Sequence, residues 1–489
     1  MMPSRLPGWM TPGRWSGLAD APRARWGGPG GYRELLRVAV PLVLSMASTT
    51  LMQFTDRMFL ANYSLDSIAA VVPASVVNFM LVSFFFGVAE YVSVFVAQYT
   101  GATRPERVGA ALWQGLWFCV PSAALLWLGG WLGAPLFEFS GHPAAVVALE
   151  RDYFSICTQY SGLAVLGVCL SCFFSGRGLT RPVMAANMLG ALVNIPLDYL
   201  LINGLWGLPE MGIRGAAWAT VIGWAVIALI MGAMVFRRAN EACFKVRSAR
   251  RLDWELMRRL WRFGSPGGAQ MLVDLFAISF FMVMVGRLGT LELAASNMAI
   301  TVNLVIFLPL IGLCIAVSVL TGQAMGSSAP DIVVRTVGSA LRLGLMAMGL
   351  ACLFMVLAPE WIMGWFRTRG MPDAEFAAIV AAGVPLLRFV ALYSMGDAVA
   401  QICFSALKGA GDTGFVLRAL AGCNLLFIVV PVVFFLWIGA GFHAFWWALT
   451  VDVFALALVA GRRFRAGGWR KLSVIERPAA PAAGPGQCP

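Results

Sequence analysis

Charge is what this chain lacks most. Only 12% of its 489 residues are Asp, Glu, Lys or Arg, while 60% fall in the apolar set, about half the charge and well above the apolar share of a typical soluble domain. A chain so poor in charge cannot clothe a globular surface in water, which excludes an ordinary soluble protein. Histidine is nearly missing too: His142 and His443 are the only two. The C-x-x-C formed by Cys169 and Cys172 therefore finds no partners for a four-ligand zinc set, and no metal site is expected. Cys119, Cys157, Cys169, Cys172, Cys314, Cys352, Cys403 and Cys423 lie inside apolar runs, where a thiol acts as a small hydrophobe, so disulfides are not expected either. The first 32 residues contain no apolar h-region after Arg5 and are interrupted by Pro3, Pro7, Pro12, Pro22 and Pro29, which rules out a signal peptide and predicts a disordered tail. The connectors hold no H-E-x-x-H, nucleophile elbow or D-x-D, so the chain is not expected to be an enzyme and no catalytic residue is assigned.

What is present in quantity is long apolar sequence. At about 20 to 25 residues per crossing it supplies about twelve transmembrane helices and little else. Hydropathy places them at 35–60, 67–99, 107–131, 144–175, 182–203, 212–237, 257–286, 291–325, 332–357, 376–407, 413–437 and 440–463. The net charge of +12 could point to nucleic acid, but its distribution gives another reason. Of the 36 basic residues, all but Arg57, Arg151, Arg214, Arg287, Arg367, Arg369 and Arg388 fall in the two tails or the connectors after even-numbered helices. The positive-inside rule then puts both termini in the cytoplasm of a multi-pass inner (plasma) membrane protein, and no nucleic-acid partner is called for. The expected divisions are a disordered tail over 1–32, a first lobe over 33–237, a basic cytoplasmic linker over 238–256, a second lobe over 257–465 and a disordered tail over 466–489. The chain is expected to act as a monomer, with the lipid bilayer as its surroundings.

The basic linker marks a midpoint, and the two sides of it repeat. A shift of 225 residues superposes Pro41 on Pro266, Ala69 and Ala70 on Ala294 and Ala295, Asn78 on Asn303, Gly87 on Gly312, Ser93 on Ser318, Gln98 on Gln323 and Gly101 on Gly326. Farther on the shift drifts, pairing Thr180 with Thr413, Gly212 with Gly441 and Trp218 with Trp447. Recurrence of Pro, Asn, Gln and Gly at one spacing marks a duplicated six-helix unit. Six crossings return the chain to its starting side, so the halves share one orientation. They are related by a pseudo-twofold axis along the membrane normal, with a cavity expected between them. The fold class is all-α, integral membrane, with twelve helices in two six-helix lobes.

Chemistry should reside in the few ionisable residues inside the bilayer, which are costly unless they face a cavity or a partner. These are Asp56, Glu90, Asp198, Asp274, Asp397 and Asp452. Counted from the nearest basic anchor at 1.5 Å per residue, Asp56 lies about 28 Å deep, and Asp198 and Thr220 about 25 Å, with Asn194 one turn from Asp198. Asp274, Asp397 and Asp452 lie about 18, 16 and 15 Å deep, with no Lys or Arg counted at that level, and Glu90 about 21 Å deep. For Asp56 the competing structural reading is an ion pair with Arg57, and for Asp198 a cap on helix 5. Glu90 and Asp452 are open between structural and functional roles. Gln53, Asn78, Gln270 and Asn303 read first as interhelical bridges.

A neutral carboxylic acid is tolerable at low dielectric and a bare carboxylate is not, so binding H⁺ or Na⁺ relieves the burial cost. An acidic interior also repels anions and attracts organic cations, for which Phe, Trp and Met offer cation-π and adaptable apolar contacts. The expected function is therefore a cation-coupled antiporter for small organic cations, with H⁺ or Na⁺ as coupling ion and no cofactor.

The run VPLVLSMASTTLMQFTDRMFLANYSLDSIAAV (40–71), the helix 2 end over 87–98, SPGGAQMLVD (265–274) and GDAVAQICFSALKGAGD (396–412) resemble the multidrug and toxic compound extrusion (MATE) family, over about 33–465. The resemblance implies two six-helix lobes in a V and cation-coupled efflux of organic cations. It matches Asp56 to the family's helix 1 carboxylate, and Asn194, Asp198 and Thr220 to the polar partners around it in the DinF-like branch. Asp274 and Asp397 match the helix 7 and helix 10 acids of the NorM-like branch, so both acidic sets are present, and Glu90 matches nothing. The alternative within the same superfamily is a lipid or lipid-linked saccharide flippase, usually built of fourteen helices with buried cations.

Overall fold

A computed structural model describes residues 26–367 and 372–476, and within them the chain is helical, with no strand. Twelve helices are long and apolar enough to cross a membrane. They are α1 (Tyr32–Tyr63), α2 (Leu65–Gly101), α3 (Pro105–Phe139), α4 (Ala144–Ser175), α5 (Arg181–Asn203), α6 (Ile213–Val235), α7 (Trp254–Gly286), α8 (Thr290–Gly326), α9 (Pro330–Leu357), α10 (Phe376–Ala410), α11 (Thr413–Trp437) and α12 (Phe442–Ala466). Every expected segment falls on one of them. Local chemistry sets their ends. Asp253 accepts from the amides of Glu255 and Leu256 at 3.1 and 3.2 Å and starts α7, as an N-cap carboxylate does. Prolines at the first turns of α3, α5 and α9 begin those helices where no intrahelical amide is lost. A π-helical stretch over Asn424–Val429 interrupts α11 just before Pro431, whose missing amide frees the ladder there.

Four apolar clusters arrange these helices into two lobes. One gathers α2–α6 with Leu256, Met257 and Leu260 of α7, and a second gathers α8–α12 with Leu35, Val38, Ala39 and Leu42 of α1. Both lie in the half nearer the basic connectors, and both cross between lobes. In the opposite half, one cluster draws only on α1–α6 and another only on α7–α12. The lobes thus share a core at the basic side and part beyond it, leaving a cleft that opens away from the basic face.

The seam between them is built twice. A methyl on Gly87 of α2 would stand 2.6 Å from the Gly268 Cα of α7, and one on Gly312 of α8 would stand 2.4 Å from Val43 Cγ2 of α1. At the 225-residue shift Gly312 is the mate of Gly87 and Val43 the mate of Gly268, so the two contacts are one contact related by the pseudo-twofold axis.

The parts expected to be disordered are only partly tested, since 1–25 and 477–489 lie outside the described residues. Within them, 466–476 is ordered, against expectation: Trp469 is buried in the second-lobe core, stacked on Phe464 of α12, and Val474 is buried beside α7 and α2. The linker packs as well. Trp113 and Trp117 of α3 donate to the carbonyls of Val246 (2.6 Å) and Arg250 (3.0 Å), and it carries a short helix, Arg238–Phe244. The eight cysteines in apolar runs are free thiols.

Candidate functional site

Two acidic constellations occupy the two lobes. In the first, Asp56 of α1 and Asp198 of α5 lie within Coulombic reach of one another, with Tyr153 of α4 facing both. Asp56 is 6% exposed, Asn194 and Asp198 are 0% and Thr220 is 9%, so the group is sealed. Gly223 of α6 opens the space for Asn194, since a methyl on it would come within 3.3 Å of Asn194 Cβ. α5 and α6 run antiparallel, so one turn along α5 to Asp198 matches about one turn back along α6, to Thr220. Asp56 Oδ1, both Asp198 oxygens and both polar atoms of Asn194 are buried and make no hydrogen bond of ordinary geometry among the described residues, with the Asn194 amide close enough to act on the Asp198 carboxyl. Native interiors seldom leave such atoms unsatisfied without a functional reason. Arg57 is exposed and within Coulombic reach of Asp56, but the two make no ion pair within 4.0 Å among the described residues.

The second constellation keeps partial solvent exposure at two of its three carboxylates, though protein surrounds both as closely as it does the first set. Asp274 of α7 and Asp397 of α10 are half-buried, and Asp452 of α12, buried, lies within Coulombic reach of both. The turn of α12 thus decides the orientation that residue counting left undetermined. Gln270 stands one turn before Asp274 and Gln401 one turn after Asp397, each beside its carboxylate, and Tyr393 faces Asp397 from one turn earlier. A half-open carboxylate cannot face lipid at tolerable cost, so these acids face the cleft. Among the described residues no group of three or more acids, histidines or cysteines is close enough to hold a metal ion. Lys408, at the basic end of α10, comes within Coulombic reach of Asp274. Depth counting put no cation near that carboxylate, because a count along the helix axis ignores how far a four-carbon stem extends.

Other residues fall outside both sets. Glu90 is exposed at the break in α2 and Gln53 is exposed on α1; neither joins a carboxylate group. Asn78 donates to Thr158 Oγ1 at 2.8 Å, joining α2 to α4, and its repeat mate Asn303 accepts from Ser394 Oγ at 3.5 Å, joining α8 to α10. Both amides bridge helices as expected, and they do so in equivalent places. Tyr153, Tyr393, Gln401 and Lys408 were missed at the sequence level. The polar residues one turn from a buried Asp, Tyr393 and Gln401, were the available signal.

A family profile described as MatE matches residues 41–200 and 268–433. The chain is 28% identical over 475 residues to the probable multidrug resistance protein NorM of Pseudomonas syringae pv. tomato, covering 94% of this chain and 100% of that protein. It is 30% identical to the multidrug resistance protein NorM of Burkholderia vietnamiensis, covering 88% and 93%. A solved structure described as the outward-facing conformation of a multidrug resistance MATE family transporter of the MOP superfamily superposes with a TM-score of 0.82 at 19% identity, covering 92% of this chain and 99% of that one.

Proposed function

The chain belongs to the MatE family of membrane transporters, and from that premise we propose that it is a secondary active antiporter that exports organic cations in exchange for H⁺ or Na⁺. The basic face is cytoplasmic by the positive-inside rule, so both termini lie inside the plasma membrane and the cleft opens outward.

The observation that carries the reading is the contrast between the two acidic sets. Asp56, Asn194, Asp198 and Thr220 are sealed, and the first three carry buried polar atoms without a partner of ordinary hydrogen-bond geometry among the described residues, which suits a proton or a small bare cation. Asp274 and Asp397 keep partial exposure, with buried Asp452 within Coulombic reach of both, which suits an organic cation whose charge is diffuse. The helices that carry the first member of each set also form the seam. α1 holds Asp56 and packs on α8 at Val43, while α7 holds Asp274 and packs on α2 at Gly268. A change of charge in either set therefore acts on a helix that touches the other lobe, which is the physical link alternating access needs. Ion entry from outside fills the sealed set, substrate leaves the open set, and closure of the cleft requires the basic-side seam to part. The named relatives are multidrug resistance proteins, which favours efflux over flipping of a lipid-linked saccharide.

The test is ethidium transport in proteoliposomes under an imposed proton or sodium gradient. Gradient-dependent accumulation on the exporting side supports the reading. No response to either gradient, across a panel of organic cations, would overturn it.

A further inference from the structure

We propose that the basic end of the groove between α1 and α5 binds the phosphate headgroup of an anionic phospholipid of the cytoplasmic leaflet. A cavity of about 800 Å³ lies there, lined by the loop at Gly28 and Pro29, by Arg33 and Arg37 of α1, and by Arg181 of α5. Glu34 also lines it, but one of its carboxylate oxygens already accepts from the Gly30 amide at 2.7 Å. Three guanidinium groups therefore face one engaged carboxylate.

Their placement costs energy unless an anion is present. Arg33 and Arg37 stand one turn apart on the same helix face, where like charges repel. Arg181 is the first residue of α5, at the helix end whose dipole disfavours a cation and favours an anion. All three are exposed, and none forms an ion pair within 4.0 Å among the described residues, whose ion pairs involve other arginines.

The surroundings select a lipid over a soluble phosphate. α1 and α5 run parallel and in register, because Thr180 Oγ1 donates to the Val38 carbonyl at 3.0 Å and Asn187 Nδ2 to Ser45 Oγ at 2.6 Å. Below Arg37 the same face of α1 continues with exposed Val40 and Leu44, and below Arg181 the same face of α5 continues with exposed Met188 and Leu192. Positive charge at the interface above a solvent-free apolar stripe matches an anionic head above its acyl chains. The loop also leans on the second lobe, since Ser339 Oγ of α9 donates to the Gly30 carbonyl at 3.0 Å. A headgroup held here touches the seam from the N-terminal side and favours the arrangement closed at the basic face.

The experiment titrates delipidated protein in non-ionic detergent with phosphatidylglycerol, phosphatidylcholine or glycerol 3-phosphate and follows binding by native mass spectrometry. The wild type is expected to prefer phosphatidylglycerol over phosphatidylcholine by about tenfold or more. R33Q/R37Q/R181Q should lose that preference, R33K/R37K/R181K should keep part of it, and R250Q/R251Q, which removes two basic-face charges elsewhere, should leave it unchanged. Should the triple glutamine variant not fold, R37Q and R181Q singly give the same reading with smaller losses. Undiminished preference in the glutamine variants would overturn the site, and glycerol 3-phosphate binding as tightly as the lipid would overturn the assignment to lipid.

Discussion

Gln98 and Gln323 hold the two lobes together at the basic face by the same bond made twice. The Gln98 side-chain amide donates across the seam to the Gly409 carbonyl at 3.0 Å, and the Gln323 amide donates back to the Gly176 carbonyl at 2.9 Å. Each glycine lies at or just past the basic end of the opposite lobe's fourth helix, so the clasp obeys the pseudo-twofold axis. Its bonds are the kind that must break when the cleft opens inward.

Replacing both glutamines by alanine should loosen the closed basic face. A net contribution of about 1 kcal/mol per bond gives a population shift of about tenfold or more for the pair. Spin labels at exposed Glu106 and Ser327, one on each lobe, would report it as a longer-distance population. An unchanged distance distribution would mean that the clasp does not limit opening.

The glycines beside the clasp make a sharper case. A methyl on Gly101 would stand 1.9 Å from the Gln323 carbonyl oxygen, and one on Gly326 would stand 2.0 Å from the Gln98 carbonyl oxygen. Both neighbours are backbone and cannot rotate away. Gly101→Val or Gly326→Val should cost about 1–3 kcal/mol or more in the closed state through overpacking. Transport should fall about tenfold with normal membrane insertion, and wild-type transport rates in either variant would contradict the seam geometry.

A pH effect belongs to the ordered C-terminal stretch. Burial opposes ionisation of Glu476, but hydrogen bonds from Arg107 (2.7 Å) and Tyr99 (2.9 Å) outweigh it and hold the carboxyl below its ordinary value of 4.5. A carboxylate whose value drops on folding adds stability above its unfolded value, and that addition is lost as pH falls through the folded value. Glu476→Gln should therefore melt lower than wild type at pH 7, and the two should converge in acid, once pH has fallen through the lowered folded value. Equal melting at pH 7 would show that the tie adds nothing.

In the sealed set, Asp56→Asn and Asp198→Asn should each remove the response of efflux to the ion gradient, lowering gradient-driven transport by about tenfold or more while expression stays normal. Everted vesicles loaded through ethidium accumulation give the readout. Coupling preserved in both would exclude this set as the ion site.

Much of this was legible in the sequence because it depends on composition and spacing. Apolar runs give spans, and a constant shift in Pro, Asn, Gln and Gly gives the duplication. The acids could be found because so few charges exist to choose among. What stayed hidden depends on rotation and reach. The direction of Asp452 follows from the turn of α12, and the exposure of Glu90 from the break at Tyr91. The approach of Lys408 to Asp274 follows from side-chain length, and the docking of Val474 rests on contacts between segments far apart in sequence, with Val474 N donating to Gln98 Oε1 at 3.1 Å. A helix count along one axis carries none of these.

The central claim is a division of labour between a sealed ion set and an open substrate set. The most direct test is equilibrium binding of tetraphenylphosphonium to the purified protein at several pH values and sodium concentrations, for wild type, Asp198→Asn, and Asp274→Asn with Asp397→Asn. The account predicts that wild-type affinity depends on pH or sodium, that Asp198→Asn binds with affinity independent of both, and that the double C-lobe variant loses binding by about a hundredfold, two carboxylates at about tenfold each. Intact binding in the double variant, or undiminished ion dependence in Asp198→Asn, would contradict it.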